Sequence, residues 1–497
     1  MNTKFLLVLL VAIACMAPHV SVNAAEAEAL APAPAGEVAA DVVRADFATL
    51  YRTLREAHFD LYAHRPKADY DRAYRTMTAS IRGPMTPVAV ATLFQKFVAY
   101  GRIGHARIDA PIVAFVTHLQ GGGTLVPLFV RVDGDKVLLT EPAEASGTLR
   151  AGVEITAIDG VPIHAVLDRL SAYVSAERPY MAFAQMEESF PALLWLDRGV
   201  VASVSVTATI AGQSVTVPVP AVTLDQRKAL DARYPNPGLA TDFAARDYRV
   251  VAPGIAYLRP GPFFNSEPGA DDGSHSYRAT AFLAFIDDSF RKLIAGGASD
   301  LIIDLRNNPG GDNSFSDPMV AWFATRPFRF ASSFTLKASA ATKADYARLR
   351  TANAPIDPDF ARQMEAETHQ PNGTRYRYEL PLVQPRPAPR YQGRVWVLVN
   401  RHSYSNAAST AALVQDYGFG KVIGEETADV ASNYASVQSF TLPGTKLSVT
   451  YPKSHFIRPN GKDEVARVRL DFPIGRPPVT SADDVVLSQA LAIVRQR

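Results

Sequence analysis

Two short stretches of this sequence place reactive side chains or glycines at the end of an apolar run. The first is Asn400-Arg401-His402-Ser403-Tyr404-Ser405-Asn406, which follows Val395–Val399 and precedes residues 411–415, which suit a helix. A serine at such a strand-to-helix turn faces unpaired N–H groups and the positive end of the helix dipole, both of which favour developing negative charge. Serine is also a common helix cap, and Ser403 or Ser405 fits that plainer role. The second stretch is Asp304-Leu305-Arg306-Asn307-Asn308-Pro309-Gly310-Gly311-Asp312, after the apolar run Leu301–Ile303. Glycines let backbone N–H groups face a substrate, as an oxyanion hole requires. An ordinary glycine turn reads the same way. A histidine can accept a serine proton near neutral pH, and among the ten here His105 lies in a Gly-His-Ala setting closing a helical region.

Those turns need elements to hold them. From 41 to 115 the pattern is helical: Val43, Phe47, Leu50 and Leu54 share one face, and Thr86-Pro87 reads as a cap followed by a first-turn proline. From 120 to 225 short strands alternate with turns. Asp133-Gly134 reads as a hairpin turn, and a strand ending at Asp159-Gly160 is followed by a helix at 164–173. From 245 to 497 strands alternate with helices, and Ile255–Leu258, Leu301–Leu305, Val395–Val399 and Lys421–Gly424 are apolar enough for strands buried on both faces. Residues 335–390 lack periodicity and read as an insertion or mobile loop.

Taken together the segments resemble the tail-specific, C-terminal-processing serine proteases, a family that includes the core of the tricorn protease. The resemblance is carried by Asp304-Leu305-Arg306 with Gly310-Gly311, Ser403-Tyr404-Ser405, Gln415-Asp416-Tyr417-Gly418 and Gly424-Glu425-Glu426-Thr427. It implies a multidomain α/β protein: a helical cap (41–115), a PDZ-like β domain (120–225) that adds a peptide as a strand, and a crotonase/ClpP-like core (245–497). It implies Ser405 as nucleophile, with Gly310 or Gly311 and Asn406 as oxyanion donors. The lysine that many members use as base is absent from Thr427-Ala428-Asp429-Val430-Ala431. The tricorn-like branch uses a histidine at the end of the cap instead, which points to His105; the serine that precedes it in that branch is Gly104 here. Glu464 and Asp471 keep the spacing of the branch's glutamate stretch without its glycine and proline, so Glu464 is the expected orienter of the base.

The rest of the sequence bounds this reading. Lys plus Arg is 51 and Asp plus Glu is 49, so no strong attraction to nucleic acid follows. The lysine and apolar run of residues 4–16, then Val22-Asn23-Ala24, read as a secretory signal (1–24) before an Ala/Pro/Glu spacer (25–40). The expected location is periplasmic or secreted, with no later membrane-spanning segment. The sole cysteine, Cys15, lies inside that leader; lipidation at Cys15 is the rival expectation. No residue spacing suggests a metal or organic cofactor. The expected partner is a polypeptide substrate. The alternatives are a non-catalytic carrier of an apolar ligand or peptide on the same fold, and an esterase-like hydrolase.

Overall fold

The computed structural model describes residues 36–234, 244–267, 278–351, 356 and 358–497. The expected leader with Cys15, and spacer residues 25–35, lie outside these.

Helices α1 (Ala40–Ala57), α2 (Lys67–Ser80), α3 (Pro87–Ala99) and α4 (Ala110–Gln120) form the N-terminal part. The predicted face of α1 is buried: Val43, Phe47, Leu50 and Leu54 have no exposed surface. Thr86 caps α3, its hydroxyl accepting the Ala89 N–H at 3.3 Å. These helices share their core with Leu442, Val449 and Tyr451 from the far end of the chain, so they do not pack alone.

An antiparallel sheet follows, ordered β1 (Val130–Asp133), β2 (Lys136–Leu139), β3 (Glu154–Ile158), β5 (Ser203–Ile210), β6 (Gln213–Pro220), with β4 (Val161–Pro162) paired to β3. The hairpin at Asp133-Gly134 is present. Helices α5 (Ile163–Leu170) and α6 (Pro179–Arg198) share a core with the sheet, and α7 (Leu224–Arg233) follows it. The helix expected over 164–173 ends at Leu170 and tightens into a 3₁₀ turn, Ser171–Tyr173.

The third layer set is a mostly parallel sheet ordered β16-β13-β12-β9-β8-β7, comprising β7 (Asp247–Ala252), β8 (Ile255–Arg259), β9 (Asp300–Asp304), β12 (Arg394–Val399), β13 (Lys421–Gly424) and β16 (Phe472–Pro473). Its central strands are buried on both faces, as their apolar runs require. One face packs on α8 (Thr280–Ala295), α9 (Asn313–Val320) and α12 (Asn406–Tyr417). The other packs on α13 (Val485–Arg495) through Leu487, Ala490 and Val494.

A second antiparallel sheet, ordered β11-β10-β15-β14, joins β10 (Ser333–Lys337), β11 (Arg375–Arg377), β14 (Asn433–Thr441) and β15 (Ser448–Ile457). Between its strands β10 and β11 lie α10 (Ala340–Thr351) and α11 (Pro358–Thr368). The reading of 335–390 as an aperiodic loop is therefore corrected. The face α10 buries is Thr342, Asp345, Tyr346 and Leu349, too polar for an apolar period to show. A buried Lys453–Glu367 ion pair at 2.6 Å, with Tyr346 on both, pins the insertion to β15.

Candidate active site

Strands β9 and β12 are neighbours in parallel register, so the turns that follow them lie side by side. Side chains zip them together. The Asn307 N–H donates to Asn400 Oδ1 (3.0 Å), Asn400 Nδ2 donates to Asn307 Oδ1 (2.7 Å), and the Ser403 hydroxyl donates to the Leu305 carbonyl (2.7 Å). Asn308 is the hub. Its Nδ2 donates to the Gly261 carbonyl, its Oδ1 accepts the Gly310 N–H at 2.9 Å, and its own carbonyl accepts the Tyr404 N–H at 2.9 Å.

Ser405 is the turn residue itself, at φ 51° and ψ −123°. A serine pays steric strain of about 1–3 kcal/mol in such a region. Its side chain makes no capping bond to α12, so the plain cap role does not describe it. The Ser405 N–H donates to Asp429 Oδ2 at 2.6 Å. Asp429 is fully buried and also accepts the Val430 N–H; burial pushes its carboxyl up to about 6.

His105 comes from the loop between α3 and α4, and its Nε2 lies 3.2 Å from Ser405 Oγ. The two residues are 300 positions apart. The imidazole is 6% exposed and lies on the Tyr404 ring, with centroids 5.2 Å apart. Burial, aided by the Arg107 charge, lowers its pKa to about 3, so the ring is neutral at ordinary pH. With Nδ1 protonated, Nε2 accepts the serine proton. That Nδ1 has no hydrogen-bond partner among the described residues. Glu464 does not supply one: it is exposed, so the orienter role expected for it is not met in this arrangement. The lost glycine and proline of its stretch are the signal that the glutamate's placement had changed.

Gly310 and Gly311 sit at φ 92° and 131°. A Cβ on Gly310 would come within 2.7 Å of Ser405 Cβ and 2.8 Å of the Asn406 nitrogen, so its missing side chain is what lets the two turns meet. A Cβ on Gly311 would strike the Phe263 carbonyl at 2.1 Å. The Gly310 N–H is occupied by Asn308, whereas the Gly311 and Asn406 N–H groups have no acceptor among the described residues. Asn406 opens α12, where N–H groups are unpaired by construction. The Asn406 side chain is used structurally, paired with Ser316 and Thr410. Of the two glycines, it is Gly311 whose N–H no described residue engages.

Sequence reasoning missed Tyr404, Asp429 and Glu177, which surround this point. Glu177 Oε1 accepts the N–H of Gly104, just before the histidine, at 2.9 Å. None of the three stands in a spacing that betrays it. Among the described residues no group of three His, Cys, Asp or Glu side chains is placed to hold a metal, and no helix is long and apolar enough to cross a membrane.

Residues 279–474 match the model of peptidase family S41. No curated protein matches the sequence. The fold is similar to that of CPAF. A CPAF mutant aligns over 92% of this chain and 97% of its own at 15% identity, with a TM-score of 0.59. Mature CPAF complexed with lactacystin aligns over 92% of this chain and 98% of its own at 16% identity, with a TM-score of 0.58. At that identity the likeness is one of fold. With Ser405, both glycines and Asn406 all inside the matched segment, residues 279–474 are a peptidase family S41 domain, which makes this a serine-type peptidase.

Proposed function

We propose that this is an exported serine endopeptidase in which Ser405 attacks a peptide carbonyl with His105 as general base. The observation that carries the reading is the 3.2 Å contact between His105 Nε2 and Ser405 Oγ, made by a serine in strained geometry beside two unengaged amides. As Ser405 Oγ bonds to the carbonyl carbon, its proton passes to His105 Nε2. The carbonyl oxygen becomes an oxyanion facing the Gly311 and Asn406 N–H groups. The imidazolium then protonates the leaving amine, the C–N bond breaks and an acyl-Ser405 ester remains. Water, deprotonated by His105, hydrolyses the ester, and the proton returns to Ser405. Among the described residues no carboxylate meets Nδ1 of the imidazolium in this cycle, unlike the usual triad.

The sheet domain β1–β6 is PDZ-like in this reading and presents an extended peptide to the core, which is taken as crotonase/ClpP-like. Export to the periplasm or medium rests on residues 1–24.

The test is labelling of the purified mature protein with a fluorophosphonate probe, beside Ser405→Ala and His105→Ala. Labelling of the wild type, abolished in the first variant and lowered at least 100-fold in the second, is the expected result, about what loss of a general base removes. A folded wild type that takes no label would move the assignment to a ligand carrier.

A further inference from the structure

The base sits on a loop that carries no element of the S41 domain, so something else must hold it. The segment 175–178, between the 3₁₀ turn and α6, does so from both sides. Glu177 Oε1 accepts the Gly104 N–H at 2.9 Å, and the Ser175 hydroxyl donates to the Ala106 carbonyl at 2.5 Å. The two bonds flank His105. Gln95 extends the grip: its Nε2 donates to the Tyr173 carbonyl (2.9 Å) and its Oε1 accepts the Ile108 N–H (2.6 Å).

The same segment reaches the nucleophile's support. Arg178 Nη2 lies 2.8 Å from Glu426 and donates to the Thr427 carbonyl at 3.3 Å, which is the stretch leading to Asp429 and its bond to the Ser405 N–H. Tyr173, Ala176 and Met181 root the segment in the core of sheet β1–β6. Gly104 leaves room for this: a Cβ there would meet Met181 Cε at 2.3 Å and Glu177 Oε2 at 3.0 Å.

We propose that Ser175 and Glu177 are positioning residues, and that the strap they form makes the β1–β6 domain a structural part of the catalytic machinery rather than only a substrate receptor. The proposal rests on the reading of His105 as the base. It follows that a small probe, which needs no peptide-binding domain, depends on the strap for its reaction with Ser405. Burial and the nearby Asp429 carboxylate push Glu177 up to about 8, so near neutrality it is largely a neutral carboxylic acid. Glutamine copies that group and keeps the carbonyl oxygen that accepts the Gly104 N–H.

The experiment uses the full mature chain as wild type, Ser175→Ala, Glu177→Ala and Glu177→Gln. It reads the second-order rate of fluorophosphonate labelling and hydrogen exchange of peptides spanning 103–107. The expected result is a loss of labelling of about 10–100-fold in Glu177→Ala and less in Ser175→Ala, with faster exchange at 103–107 in both. Glu177→Gln keeps both readouts within about threefold of wild type, which a need for the side chain's charge does not predict. Wild-type exchange at 103–107 in Glu177→Ala overturns the proposal whatever the labelling shows. So does undiminished labelling in Glu177→Ala when His105→Ala has lost it. If the wild type takes no label, the catalytic reading fails and the exchange data alone decide whether the clamp exists. If Glu177→Ala does not fold, Ser175→Ala against Glu177→Gln carries the same contrast.

Discussion

Ser405 and His105 meet at one point but are held there in opposite ways. Ser405 is fixed by short-range structure: a strand, a strained turn and a helix, braced by the turn that ends the adjacent strand β9. His105 has no such frame. It lies on a loop between two cap helices, stacked on Tyr404 and tied by backbone bonds to a strap from another domain. Strain at the nucleophile is thus stored where the surrounding sheet over-determines the backbone. The base is held by domain packing. The contrast teaches that the nucleophile elbow survives as a local feature, while activity depends on contacts across the whole chain.

The largest effect that bears on this contrast is expected at Gly310. Gly310→Ala would push a methyl into Ser405 Cβ and the Asn406 nitrogen from a φ of 92°, parting the two turns. Labelling should fall by about 100- to 1,000-fold, the scale of losing an oxyanion donor, while His105 keeps its strap. Near-normal labelling would show that the close approach of the turns is not needed.

The pH profile separates the two halves next. His105, lowered to about 3, stays neutral through the weakly acidic range, whereas Asp429, raised to about 6, becomes protonated there and weakens its hold on the Ser405 N–H. Labelling should decline several-fold as pH falls through about 6. In Asp429→Asn that limb should vanish, leaving only one at much lower pH. A limb unchanged in the variant would assign it elsewhere.

Glu177 gives a stability effect with a definite sign. Its folded pKa is raised from 4.5 to about 8, so its contribution is fully present below pH 4.5 and is lost as pH rises through about 8. Glu177→Gln should therefore gain on the wild type by about 2 kcal/mol between pH 5 and pH 8.5, allowing for partial relaxation of the buried charge. Urea unfolding at the two pH values measures it; a pH-independent difference would mean that Glu177 titrates normally.

The strain at Ser405 predicts a smaller difference. Ser405→Gly and Ser405→Ala both remove the nucleophile, but only glycine relaxes at φ 51°. The glycine variant should be the more stable by about 1 kcal/mol after its larger unfolded-state entropy is counted. Equal stability would mean that the turn is not strained. The smallest effect is expected at Glu464, exposed and outside the base's contacts, where Glu464→Ala should leave labelling within about twofold.

Much of the core was legible. The apolar runs became the central strands β8, β9, β12 and β13 because a strand covered on both faces needs no alternation. The glycine pair, Ser405 and Asn406 stand next to such runs, which is why their place at the strand ends could be read. The helices α10 and α11 were not legible, since α10 buries a largely polar face, and the Glu367 that α11 buries is paired with Lys453 of a distant strand. Glu464 failed for the converse reason: spacing to Asp471 was retained while the residues that shape the loop between them were not.

The sequence alone determined the nucleophile's setting, because strand, turn and helix N-terminus are consecutive in the chain and their propensities are local. It also determined that the stretch Thr427–Ala431 holds no lysine to serve as base. The family resemblance pointed to His105 among the ten histidines, but only the tertiary structure brings it to Ser405, sets Asp429 against the Ser405 N–H and puts Glu177 on the Gly104 N–H. Those contacts join residues 24 to 300 positions apart. They arise from how the sheets pack together, and no periodicity or propensity along the chain encodes them.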